Sequence, residues 1–176
     1  MTRRIALAVV KGARQNVGVL ESGVNAGKYV EAYQKSCVPV LSAGDPWCAA
    51  FVVYRFIGAA GALGEKLPVG FPRSGYTPDW KTYAKKTATW LPMPVAKAFN
   101  ERPRVGDLAL FYFKNLKRIG HIGIVVEVHD WGVFTVEGNT GPDTDGVVER
   151  NGDGVYLKRR EWHELGSFGG FMKVDV

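Results

Sequence analysis

Cysteine and histidine are scarce in this chain of 176 residues, which holds two cysteines, Cys37 and Cys48, and three histidines, His121, His129 and His163. Without a C-x-x-C pair or interleaved Cys/His ligand spacing, the sequence carries neither a disulfide framework nor a zinc pattern. Long apolar runs are also missing, and no stretch approaches the ~18 uninterrupted residues of a membrane span. The run Ile5 to Val10 behind Arg3-Arg4 imitates a signal peptide, but it ends at Lys11 and lacks a convincing cleavage site, so no standard leader is expected. Internal repeats and low-complexity segments are absent too, which leaves nothing to suggest a second domain.

Acidic residues are the minority charge, 17 against 23 basic ones, giving a formal net charge of +6. That sign favours polyanionic partners such as nucleic acid, anionic lipid or anionic cell wall. The basic residues gather only in short groups, Lys85-Lys86, Lys114 to Arg118 and Lys158-Arg159-Arg160. No nucleic-acid-binding motif surrounds them, so they read as solvated surface and no nucleic-acid partner is expected.

What is present is an ordinary globular composition, 46% hydrophobic and 23% charged. A chain of this length buries about two thirds of its unfolded surface without staples. Its first half has helical character: Ile5 to Val10, Lys28 to Ser36, Pro46 to about Ala60, and a fresh start at Thr77-Pro78-Asp79 that Trp90-Leu91-Pro92-Met93-Pro94 breaks. From Arg102 the period changes to short β-rich runs: Asp107 to Phe113, His121 to Val128, Val133 to Glu137, Val155 to Arg160 and Phe168 to Val174. Helices followed by strands imply an α+β fold, with N-terminal helices packed on an antiparallel sheet of about five strands.

Cys48 has the most motivated environment. Asp45 is a preferred helix cap, Pro46 fits the first helical position, and Cys48 then falls at the third. There the positive end of the helix favours thiolate, and uncapped N–H groups can hold a developing oxyanion. Cys37, before Val38-Pro39, has no helix-start signature and reads as a buried, incidental thiol.

A thiol nucleophile needs a base, and His121 is the best candidate. It opens an apolar strand between Gly120 and Gly123, whose missing side chains leave room for another element or a substrate. His129 lies eight residues further along, about 26 Å at the usual strand rise, and so cannot share its site. His129 and His163 read as exposed turn residues. Glu137 and Asn139, two apart on the next strand, share a face as candidates to orient the base. If Asp130-Trp131-Gly132 closes a simple hairpin, residue numbers summing to about 262 lie opposite one another. Glu137 then faces position 125, with Asn139 closer to His121, and only a bulge or a reaching ring brings Glu137 into play. The choice between the two stays open on the residues alone.

Four segments, taken in order, resemble the CHAP domain, the cysteine, histidine-dependent amidohydrolase/peptidase family related to NlpC/P60 and papain-like folds. They are Gly44-Asp45-Pro46-Trp47-Cys48-Ala49-Ala50-Phe51-Val52, Pro103-Arg104-Val105-Gly106-Asp107-Leu108-Ala109-Leu110-Phe111, Gly120-His121-Ile122-Gly123-Ile124-Val125 and Val136-Glu137-Gly138-Asn139-Thr140. The resemblance spans about residues 40 to 175 and implies one CHAP-like domain over 1–176, with a helical part over 1–40 and a catalytic core over 41–176. It implies nucleophile Cys48, base His121, orienting acid Glu137 and accessory amide Asn139. Trp47, beside the nucleophile, is the candidate wall of a substrate cleft, with core packing as its alternative.

The substrate so implied is bacterial peptidoglycan, cut between the glycan lactyl group and L-alanine or within the peptide stem or crossbridge. A monomer acting on the wall after phage- or secretion-dependent delivery, as a lysin would, fits this picture. No cofactor is expected. Calcium-binding members carry an acidic cluster before the nucleophile, whereas only Asp45 stands there, and Asp143-Thr144-Asp145-Gly146 lacks the spacing of a calcium loop. Two other classes remain: a binding module that kept the fold and lost catalysis, and a cysteine protease or transferase acting on proteins.

Overall fold

The computed structural model describes residues 1–98, 101–142, 148 and 151–174. Helix α1 (Arg3–Gln15) starts where the Thr2 hydroxyl accepts the Ile5 N–H, and it buries Ile5, Ala6, Val9, Val10 and Ala13 along one stripe. Helix α2 (Lys28–Lys35) buries Val30, Tyr33 and Gln34. Helix α3 (Cys48–Leu63) is apolar almost all round and runs through the core, as such a composition requires. It stops at Gly64, whose φ of +64° needs a residue without a Cβ penalty. Helix α4 (Thr77–Lys86) carries Pro78 in its first turn, where a missing N–H costs nothing.

The rest is a six-stranded antiparallel sheet in the order β1-β6-β2-β3-β4-β5. Its strands are β1 (Trp90–Pro92), β2 (Leu108–Phe113), β3 (Arg118–His129), β4 (Gly132–Thr140), β5 (Gly154–Glu161) and β6 (Gly170–Met172), with helix α5 (Met93–Lys97) after β1 and a 3-10 turn (Trp162–Leu165) after β5. The sheet thus has six strands rather than about five. The additional one, β1, lies at an edge, where a proline can turn the side without an N–H to solvent, so Pro92 does not exclude pairing.

Two apolar clusters sandwich the sheet. The larger joins α1, α2 and α3 to Leu108, Leu110, Ile122, Ile124 and Val136. The smaller gathers Leu91, Phe111, Val125, Val133, Trp162 and Phe171 under α5 and the 3-10 turn. No helix among the described residues is long and apolar enough to cross a membrane.

Two bulges set the register that matters. In the β3–β4 hairpin His129 faces Gly132 and Val128 faces Val133, but beyond a bulge at Val126 the pairs become Val125 with Thr135 and Ile124 with Val136. The simple hairpin register is therefore corrected twice, since the two-residue turn Asp130-Trp131 lowers the sum of paired numbers to 261 and the bulge lowers it to 260, and Glu137 comes to lie beside Gly123 rather than position 125. A second irregularity, between Glu137 and Thr140 on the β5 side, accompanies a left-handed Asn139 with φ +57°.

The start of α3 also differs from the expected one. Asp45 does not cap it: its carboxylate accepts the Ser42 N–H at 2.7 Å and closes its own loop. Trp47 occupies the cap position without a side-chain cap, and Cys48 is the first helical residue, not the third.

Candidate active site

Cys48 is held at the open end of α3, nearly buried but touching a cleft of about 300 Å³ lined also by Asp45, Pro46, Tyr76, Arg118 and Gly120. The first helical turn has no side-chain cap, which leaves its N–H groups free to meet an oxyanion at the positive end of the helix dipole.

Strand β3 brings His121 to this helix end and buries it completely. Its Nε2 lies 2.8 Å from Glu137 Oε2. Its Nδ1 is buried without a hydrogen bond, which leaves that atom as the nitrogen open to Cys48. Burial alone would lower the His121 pKa, but the Glu137 charge and the Cys48 side chain outweigh it and raise it to about 9. Imidazolium is thus the resting form at neutral pH.

Glu137 reaches His121 because Gly123 has no side chain. A Cβ there would stand 2.6 Å from Glu137 Cγ. The carboxylate is also fully buried, a costly placement that four donors offset. Oε1 accepts from Thr135 Oγ1 at 2.5 Å and Arg160 Nε at 2.8 Å, while Oε2 accepts from Arg160 Nη2 at 2.8 Å in addition to His121. Burial would push the Glu137 carboxyl up, but Arg160 and then His121 hold it well below the usual carboxylate range.

Arg160 is the residue that the sequence reading missed. The run Lys158-Arg159-Arg160 is not all surface, since Lys158 and Arg160 are buried and only Arg159 is exposed. Lys158 Nζ donates to Gly141 O at 2.9 Å, and Arg160 also donates to Glu164 Oε1 at 3.2 Å. Phe111 packs on both the His121 ring, at 5.5 Å, and the Arg160 guanidinium, at 5.4 Å. The strand period of two was the available signal: it places residues 158 and 160 on one face and 159 on the other.

Asn139 stands elsewhere. It makes no hydrogen bond to His121; its Oδ1 accepts the Trp47 N–H at 3.1 Å, and its Nδ2 donates to Asn25 Oδ1 at 2.7 Å and Gly152 O at 3.2 Å. A β4 side chain thereby anchors the residue before the nucleophile, and Asn25 ties that anchor to the N-terminal segment. Trp47 does not line the cleft. Its ring is fully buried against Tyr33, and its indole N–H donates to Glu21 Oε2 at 3.2 Å, because Gly138 lets helix and strand approach so closely that a Cβ would meet Trp47 at 2.7 Å.

The remaining candidates lie apart. His129 is exposed, stacked on Trp131 at 5.0 Å and 3.3 Å from Glu127, and His163 faces Glu161 at 3.5 Å. Cys37 is buried and unbridged, and burial pushes its thiol up to about 11. Among the described residues no group of three or more His, Cys, Asp or Glu side chains could hold a metal ion, and the segment Asp143 to Gly146 lies outside them.

A thiol at a helix start, a buried imidazolium and a carboxylate behind it, on helices packed against an antiparallel sheet, define the arrangement of a papain-like cysteine hydrolase. The family model for the CHAP domain matches residues 41–139, more than half of the chain, and the protein belongs to that family. CHAP domains are in general cysteine- and histidine-dependent amidohydrolases of the peptidoglycan-hydrolase type. No curated protein and no solved structure matches the chain.

Proposed function

We propose that the protein hydrolyses an amide bond of bacterial peptidoglycan, with Cys48 as nucleophile, His121 as general base and acid, and Glu137 as the group that orients His121. The observation that carries this reading is the unbroken order Cys48, His121, Glu137, Arg160, in which one ring nitrogen is held at 2.8 Å by a locked carboxylate and the other is left for the thiol.

In this mechanism the Cys48 proton rests on His121 Nδ1, and the sulfur attacks the amide carbonyl. The tetrahedral oxyanion meets the Cys48 backbone N–H at the positive end of α3. His121 Nδ1–H then protonates the leaving amine as the C–N bond breaks, leaving an acyl-thioester. Water, deprotonated by Nδ1, attacks the thioester, and the thiolate leaves. Throughout, Glu137 on Nε2 fixes the tautomer and balances the imidazolium charge.

Family membership and the net charge of +6 support an anionic wall as substrate. Either the muramoyl–L-alanine bond or a bond within the stem or crossbridge suits this chemistry, and the site of action is then the wall, outside the cytoplasm. Digestion of purified sacculi followed by mass spectrometry of the fragments tests the reading. Intact stems with a free L-alanine amino terminus identify an amidase and shortened stems an endopeptidase, whereas new reducing sugar ends without new amino termini contradict it.

A further inference from the structure

Beside the catalytic cleft lies a second hollow, of about 240 Å³, whose wall carries four cations: Lys81 and Lys85 from α4, and Lys117 and Arg118 from the β2–β3 turn and the start of β3. Arg118 belongs to both hollows, so they share a wall. Among the described residues none of the four forms an ion pair, whereas Arg14, Lys35, Arg159 and Lys173 each face a carboxylate.

Neutral groups hold the two half-buried members. Lys81 Nζ donates to Phe168 O at 2.7 Å and lies 4.9 Å from the Trp90 ring centroid. Arg118 donates to Ile119 O at 2.9 Å and lies 5.0 Å from the centre of the Tyr76 ring. Burial, and then the charge of Lys85, lower the pKa of the Lys81 ammonium, as crowding of like charges requires. Lys117 is presented from a left-handed backbone, φ +52°, that asparagine or glycine would occupy with less strain. Four cations around one hollow, none of them in an ion pair among the described residues, repel one another, and an anion arriving there relieves that repulsion.

We infer that this hollow is a substrate subsite for a carboxylate, one carried by the same peptide stem whose amide lies against Cys48. Since Arg118 lines both hollows, an anion held here sits within one residue's reach of the scissile bond, so its binding fixes which amide of an acidic peptide faces the thiol. The inference rests on the peptidoglycan reading above and adds to it the charge of the recognised group.

The test compares wild type, Lys85→Glu/Lys117→Glu and the matched-charge control Lys11→Glu/Lys66→Glu, whose sites line neither hollow. Each digests sacculi free of teichoic polymers, either with free stem carboxylates or after conversion of these to carboxamides. Wild type should lose at least about tenfold in kcat/KM on amidation, mainly through KM, and Lys85→Glu/Lys117→Glu should lose as much on free carboxylates and nothing further on carboxamides. The control should keep the wild-type ratio.

The subsite is overturned if the Lys85→Glu/Lys117→Glu defect persists on amidated sacculi, if the control shares it, or if it emerges only on walls bearing teichoic phosphodiesters. In parallel, calorimetric titration of a soluble stem peptide with free carboxylates into Cys48→Ala, with and without the two glutamates, reads the subsite without turnover. Sacculi left intact by wild type, with peptide binding that the glutamates abolish, would sink the hydrolase reading alone. Sacculi cleaved equally by wild type and Lys85→Glu/Lys117→Glu would sink the subsite alone.

Discussion

Arg160 grips Glu137 through both carboxylate oxygens, Nε on Oε1 and Nη2 on Oε2, each at 2.8 Å, with both side chains buried. Removing one partner of such a pair leaves an uncompensated buried charge, at a cost of about 3–5 kcal/mol. Arg160→Met should therefore lower unfolding stability by that order in urea titrations. Adding Glu137→Gln should not restore turnover, because His121 would have lost its counter-charge.

The same network sets the pH dependence. His121 has a higher pKa when folded, about 9, than the ordinary 6.5, so its pairing contributes fully below about 6.5 and is lost as pH climbs through about 9. Glu137 runs the other way: held well below its ordinary 4.5, it contributes above that value and loses its contribution only in strong acid. The kcat/KM profile should accordingly fall on an alkaline limb near pH 9 as imidazolium is lost. Glu137→Gln should move that limb to lower pH, since the Cys48 side chain alone then opposes the effect of burial on the ring. Titration of the His121 ring by NMR in both proteins checks this.

Asn139 makes a different prediction. Asn139→Ala leaves the Trp47 N–H and Asn25 Oδ1 without their Asn139 partners in a buried position. The cost should be about 1–3 kcal/mol in thermal or urea unfolding. Turnover should fall with it, as the start of α3 loses its tether, while the alkaline limb of the pH profile stays in place because the His121–Glu137 contact is untouched. A shifted limb in Asn139→Ala would assign Asn139 a direct role on the imidazole.

Much of this arrangement was legible in the sequence, and the rest was hidden for identifiable reasons. Cys48, His121 and Glu137 sit in short motifs whose residue types are themselves the chemistry, and the strand runs around His121 and Glu137 are rich in β-branched residues. Arg160 was hidden because three successive basic residues read as surface unless strand parity is applied to each. The partner of His121 was hidden because the two-residue turn and the bulge at Val126 together shift the hairpin register by two, while Asn139 leaves the strand conformation with φ +57° and bonds Trp47 and Asn25 instead. The role of Asp45 was misjudged because a cap-type residue before a proline has two local N–H groups to choose from, and here the loop's Ser42 wins. Asn25 and Glu21 lie in no motif, and only folding brings them to Asn139 and Trp47.

The most direct test of the central claim is sacculus turnover by Cys48→Ala beside wild type, with circular dichroism and the unfolding midpoint showing that both are folded. The thiol is the attacking atom in this account, so its removal should lower kcat by at least about a thousandfold while the fold and wall binding persist. Turnover by folded Cys48→Ala within tenfold of wild type would contradict it.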